Sequence, residues 1–343
     1  MTGISEREAI MSESIFQIIR TATQSDGSLP QHFELPESSE DDPSVDTAIE
    51  KPRKARFAPG AKDGISIYHF GVTPAPDVVK EVARIIKKDC KKFGSPPNPR
   101  LLQIFREYSA LSLIDDLLDE LARDMKGIIL SNFADYACRL AFEETDTELV
   151  KLGIALIGML DTECEDELTN DLLTLAAYDE FTLYVVIALQ NRADTDDLVW
   201  KIARTARGWG RIHAVERLEP ATPEIREWIL REGLDIEVLK EYLGLTVAEK
   251  GQLIETLRKE SLEEDLFESV TIVVEALLDE GPVSGISVYE DREEALTLFL
   301  RHASKRTANP ELLRVVRKIH DKLLALKLPS DEALRAQIRD ILR

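Results

Sequence analysis

The sequence predicts an all-α protein: an α-solenoid of stacked antiparallel helix hairpins behind a mostly irregular N-terminal arm. Three observations carry this expectation. Aromatic residues are only 6% of the 343 residues, while Leu, Ile, Ala, Glu and Arg dominate, a composition that suits helices better than sandwiches or barrels. From Pro76 onward apolar residues recur with helical periodicity, broken at short intervals by turn residues. Several of these segments open on side chains that cap helix N-termini.

In chain order, residues 5–21 read as a short amphipathic helix with Ile10, Ile15, Ile18 and Ile19 on one side and Ser5 as its cap. Residues 22–63 are rich in Ser, Asp, Pro and Gly and carry an acidic run, Glu37 to Asp42, then a basic one, Lys51 to Arg56. This stretch reads as a linker or extended arm. Gly64 to Gly71 alternates apolar and other residues and reads as a strand or extended plug across the first helices.

The expected helices are 76–92, 98–125, 127–143, 146–160, 166–177, 180–191, 195–207, 210–218, 222–232, 235–243, 247–259, 263–280, 290–305, 309–327 and 330–342. Their starts are marked by Asp146 or Thr147, Thr195, Thr222-Pro223, Thr246 with Glu249, and Asn309-Pro310. Connections of two to six residues make antiparallel hairpins of them. Two domains are expected, 1–75 as helix, arm and extended segment, and 76–343 as the helical repeat region.

Self-similarity is partial: Thr147-Glu148-Leu149-Val150 and Thr195-Asp196-Asp197-Leu198-Val199 open helices 48 residues apart, and Thr222-Pro223-Glu224-Ile225 opens another 27 further on. The stretch from Asp197 to Arg204, followed by Gly210 to Leu218, resembles HEAT-type repeats. In that family the second helix of a hairpin often reads Arg-x-x-Ala-x-x-x-Leu, which Arg211, Ala214 and Leu218 match. The aspartate and proline that usually punctuate the unit are displaced. Segment 208–243 also resembles a group of bacterial HEAT-like proteins, a resemblance that implies a fold and no activity. It covers roughly residues 145–280, and it implies stacked hairpins with a long surface suited to a macromolecular partner.

The net charge is −21, which repels phosphate backbones and disfavours nucleic acid as a partner. The charge is blocked: −5 over 1–70, +6 over 80–106, −15 over 107–180, zero over 181–230, −12 over 231–300 and +6 over 301–343, with Asp77 supplying the rest. The basic stretch Lys80–Arg106 reads as a cationic face of a terminal repeat or a contact to the acidic repeats. Arg314, Arg317, Lys318 and Lys322 read as the opposite polar cap, and the alternation of sign suits head-to-tail contacts. No apolar run approaches the length of a membrane span, and the acidic N-terminus lacks the apolar core of a signal peptide. Cys90, Cys138 and Cys164 are far apart and form no C-x-x-C pair, so free thiols in a reducing cytoplasm are expected.

Signatures of chemistry are sparse. His32, His69, His213, His302 and His320 lie in different segments, and His213-x-x-Glu216 lacks further ligands, so no metal or other cofactor is expected. Paired acids such as Asp115-Asp116, Glu143-Glu144, Glu165-Asp166-Glu167, Glu263-Glu264-Asp265 and Glu293-Glu294 sit in hydrophilic runs, where solvation or the helix dipole explains them. Neither a G-x-S-x-G elbow nor a phosphate-binding glycine loop occurs, and no catalytic residue is assigned.

The most unusual local feature is Gly208-Trp209-Gly210, followed by Arg211, His213 and Arg217 in the neutral stretch. Trp and Arg are favoured interface anchors, so Trp209, Arg211, His213 and Arg217 are the candidate partner-binding residues. The competing reading has Trp209 closing a hairpin core while the arginines bond helix ends. The expected function is a non-enzymatic, cytoplasmic protein-binding scaffold with a basic protein partner; a toxin-neutralising or defence role in a bacterium suits such an acidic surface. The alternative is a nucleic-acid-processing enzyme similar to HEAT-like DNA glycosylases, for which Trp200, Trp209 and Trp228 are spaced suitably but the charge is wrong. A third reading has the arm at 22–63 recruit the partner.

Overall fold

The computed structural model describes residues 13–36, 57–73, 75–160, 166–281, 283–307 and 309–343, and every regular element among them is helical. Ser5, Ile10, the charge runs 37–42 and 51–56, and Cys164 lie outside the described residues. Contacts divide the chain into two compact units, Met1–Gly210 and Arg211–Arg343. The division falls inside the stretch expected to be one repeat domain, and residues 57–73 of the expected N-terminal region pack into the first unit.

The first unit holds α1 (Ile15–Ala22), α2 (Ala61–Ile65), a π-helix (Ser66–Phe70), α3 (Pro76–Asp89), α4 (Pro99–Glu107), α5 (Ala110–Arg123), α6 (Leu130–Glu143), α7 (Thr147–Ile157), α8 (Asp166–Ala176), α9 (Asp179–Leu189) and α10 (Thr195–Thr205). The next helix, α11 (Trp209–Arg217), carries the unit boundary. Within the first unit the helices pack in a regular way: α3 on α5, α5 on α7 and α7 on α9, while α6 lies on α7 and α8 on α9. Apolar spacing makes this possible, since Val79, Val82, Ala83 and Ile86 share the buried side of α3. Close approach of α6 and α7 depends on Gly153, where a Cβ would come 2.3 Å from the Ala141 nitrogen.

The second unit contains the rest of α11 with α12 (Pro223–Glu232), α13 (Glu241–Lys250), α14 (Leu253–Arg258), α15 (Glu264–Leu278), α16 (Arg292–Ala303), α17 (Pro310–Leu326) and α18 (Asp331–Ile341). Here α13 packs on α15 and α15 on α17, while α14 packs on α16 and α16 on α18. The expected caps at Asp146, Thr222 and Asn309 are made: Asp146 accepts from the Glu148 and Leu149 amides, Thr222 from Ile225 and Asn309 from Leu312 at 2.8 Å.

Three local expectations are corrected. The segment 64–71 is no strand: the Gly64 amide bonds the Gly60 carbonyl and the Gly71 amide bonds Ser66, giving α2 and the π-helix. Within it only Gly64 is buried, beside Ala61 and Asp63 earlier in α2, and not the alternating isoleucines. The single helix expected over 98–125 is two, because Tyr108 and Ser109 are extended and the Ala110 amide bonds Glu148. Thr246 lies within α13 and caps nothing there, since Gly244 continues the helix against Ala276. The following break comes at Gln252, which takes the left-handed conformation.

Candidate functional site

The Gly208–Arg217 segment is held by partners far away in sequence. The Asp179 carboxylate accepts from the Gly208 amide at 2.7 Å and the Arg207 amide at 3.3 Å, capping the N-terminus of α11. Trp209 is 6% exposed, and its ring lies so close to Gly64 that a Cβ there would come 2.1 Å from Cε3. Gly60, at φ +74°, turns the chain beside the same side chain.

Arg211 is 7% exposed and donates to the Asp235 carbonyl at 2.8 Å and the Glu232 carbonyl at 3.3 Å, with its guanidinium over the Trp228 ring. His213 is 1% exposed, 3.9 Å from Glu216. Arg217 donates to the His213 carbonyl and lies 3.5 Å from Glu216. Solvent therefore reaches little of Trp209, Arg211 and His213, and Arg217 is the member of the set that offers a partly exposed cation. Trp228 is likewise engaged, donating to Glu232 at 3.0 Å, and Arg204 lies over Trp200.

A buried charge cluster escaped the sequence reading. Lys151 is fully enclosed and donates to Asp63 at 2.8 Å and Glu148 at 3.1 Å, with Glu180 at 2.5 Å. Tyr184 donates its hydroxyl to the Asp63 oxygen that Lys151 also meets, at 2.8 Å. The second oxygens of Glu180 and Glu148 accept from the Gly60 and Ala110 amides. Burial alone lowers the Lys151 pKa, but the Glu180, Glu148 and Asp63 carboxylates outweigh it and hold the ammonium above the ordinary lysine range. An amine held in its protonated form has no lone pair to act as base or nucleophile; this one fastens residues 60–64 to α7 and α9. The signal available in sequence was one lysine in an otherwise apolar run, Leu149 to Ile157.

The second unit carries an open groove of about 660 Å³ over α15, walled by α17 and by Val238–Glu241. Leu239 and Ile272, 61% and 39% exposed, line it. Three of its cations are paired within the walls. Arg306 sits 3.9 Å from the Phe267 ring centroid and pairs with Glu264, Arg314 pairs with Glu275, and Lys318 bridges Glu275 and Asp279. Burial tends to raise the Glu275 pKa, yet hydrogen bonds from Lys318 and Arg314 leave it below the usual carboxylate value. Glu241, Glu268 and Glu311 line the same groove and form no ion pair among the described residues.

Family models, curated proteins and solved structures gave no match to the chain.

Among the described residues no group of three His, Cys, Asp or Glu side chains could hold a metal ion, and no helix is long and apolar enough to cross a membrane. Cys90 is buried, and burial with Asp89 and Asp135 nearby pushes its thiol up to about 12, which suppresses the reactive thiolate. Of the basic stretch 80–106, Lys87 pairs with Asp124 and Arg100 with Glu81. The C-terminal cations Arg314, Lys318 and Lys322 face Glu275, Asp279 and Glu280.

Proposed function

We propose that the protein is a non-enzymatic binding scaffold of the cytoplasm, an α-solenoid that holds a basic protein segment. The carrying observation is the groove over α15: exposed Leu239 and Ile272 lie beside Glu241, Glu268 and Glu311, which form no ion pair among the described residues, while Arg306, Arg314 and Lys318 are already neutralised. An apolar centre with carboxylates at its edge that form no ion pair among the described residues suits a segment presenting a large apolar side chain between lysines or arginines.

The solenoid reading is supported in each unit by packing between helices two apart in sequence, α3-α5-α7-α9 in the first and α13-α15-α17 beside α14-α16-α18 in the second. A nucleic-acid enzyme of the glycosylase kind needs tryptophans offered in a cationic groove. Trp209 and Trp228 are instead buried. Toxin neutralisation in a bacterium is one role such a scaffold suits.

The test is affinity capture with the wild-type chain and with an Ile272→Asp, Glu268→Lys variant, followed by titration of the purified partner against both. The variant should bind at least tenfold more weakly, since an interface core and a charge pair are both lost. Equal affinity would remove the groove from the function.

A further inference from the structure

A second surface, on the first unit, has unmet charge of the opposite sign. On α3, Lys80, Arg84 and Lys88 recur every four residues, which sets them in a row about 12 Å long on one helix face. Lys91 and Lys92 extend it, and all five are exposed and form no ion pair among the described residues. The row ends at Phe93, an exposed aromatic. The turn carrying it is fixed to α6, where Asp135 accepts the Gly94 amide at 2.8 Å and Asn132 donates to the Cys90 carbonyl at 3.0 Å. Ile129 and Leu130, at the start of α6, are exposed as well.

We propose that the occupant of the α15 groove is a second copy of this chain, docking its α3 row on Glu241, Glu268 and Glu311 and Phe93 against Leu239 and Ile272. This rests on the reading of that groove as a docking site and names its partner. The two patches are different surfaces, so the contact is head to tail and each copy carries both halves.

The neighbours of each patch separate this partner from other anions. Helix α5 packs on α3 and exposes Asp115, Asp116 and Asp119. A nucleic acid or an anionic bilayer that spreads from α3 onto α5 meets those carboxylates and is repelled. The groove meets them with the exposed cation Lys240. A surface of mixed sign therefore faces one of mixed sign, and the groove row from Glu264 to Asp279 on α15, about 22 Å, is long enough to take the basic row.

Sedimentation velocity of the full chain, over a concentration series at low salt and at 0.5 M salt (about 4 Å screening length), tests the proposal. The average mass should rise with concentration at low salt and fall back to the monomer at high salt. A Lys88→Glu, Lys92→Glu variant and a Glu268→Lys, Glu311→Lys variant should each lose roughly tenfold or more in association. Mixed together they should regain it, because each retains the half that the other lacks. Circular dichroism of both variants controls for folding, and Phe93→Ser with Ile272→Ser repeats the test without charge changes. A wild-type chain that stays monomeric at low salt, or variants whose mixture fails to associate, overturns the proposal. So does capture of wild type, but not of the Lys88 variant, by anionic vesicles or duplex DNA while the chain stays monomeric. A monomeric chain that still binds a basic protein through Ile272 and Glu268 overturns this proposal and leaves the scaffold reading standing.

Discussion

Lys151 is a fully buried side chain paired with three carboxylates of the first unit. Among the described residues its ammonium is the only cation paired with Asp63, Glu148 and Glu180, so Lys151→Met leaves those carboxylates buried without that counter-charge. Breaking a buried pair in this way costs about 3–5 kcal/mol, and the urea midpoint should fall accordingly. Gly64→Ala inserts a methyl group into the Trp209 ring. Overpacking of this kind costs about 1–3 kcal/mol, and the displaced indole should give a changed tryptophan emission. His302 supplies a pH dependence. Burial lowers its pKa, with Arg301, Arg306 and Lys305 adding to the effect against a hydrogen bond to the Leu257 carbonyl. The unfolded chain then binds a proton that the folded one refuses, so stability is full above about pH 6.5 and is lost as pH falls below it. His302→Gln should flatten the urea midpoint between pH 6.5 and 5, a window above the titration of ordinary carboxylates. An unchanged slope would assign the acid sensitivity elsewhere.

Individual helices divide into those whose ends are written locally and those whose ends are set at a distance. Asn309 caps α17 through its own neighbour three residues on, and Asn309→Ala should cost about 1 kcal/mol in thermal unfolding. Asp146 and Thr222 act the same way, and these starts were legible in the sequence. The start of α11 was expected within one residue of its place, but not its cap, which is Asp179, 29 residues away from Gly208. The break between α4 and α5 was missed for the same reason: Glu148 binds the Ala110 amide from 38 residues off. The segment 64–71 misled through its isoleucines, which alternate as in a strand, while the face that α2 buries is made by Ala61, Asp63 and Gly64.

At the scale of the molecule the charge map has a physical consequence. A chain of net charge −21 repels itself, and salt screens that repulsion. Thermal stability should therefore rise from very low salt to about 0.15 M, the range over which the screening length shortens to ~8 Å; a falling midpoint would mean that surface ion pairs outweigh net repulsion. The exposed pairs give little reason to expect that, since such contacts contribute about 0–1 kcal/mol each.

The sequence by itself determined the all-helical class, most helix positions, and the alternation of basic and acidic blocks, because periodicity, local caps and charge are properties of neighbouring residues. It also brought out Gly208-Trp209-Gly210 as unusual. Only the tertiary structure decided that Trp209 packs on Gly64, that Arg211 bonds carbonyls at the end of α12 and in the turn beyond it, and that Lys151 meets three carboxylates. It also decided which charges within each block have partners and which, on α3 and around the α15 groove, form no ion pair among the described residues. Burial and pairing depend on residues brought together from distant parts of the chain, and no local pattern records which ones will meet.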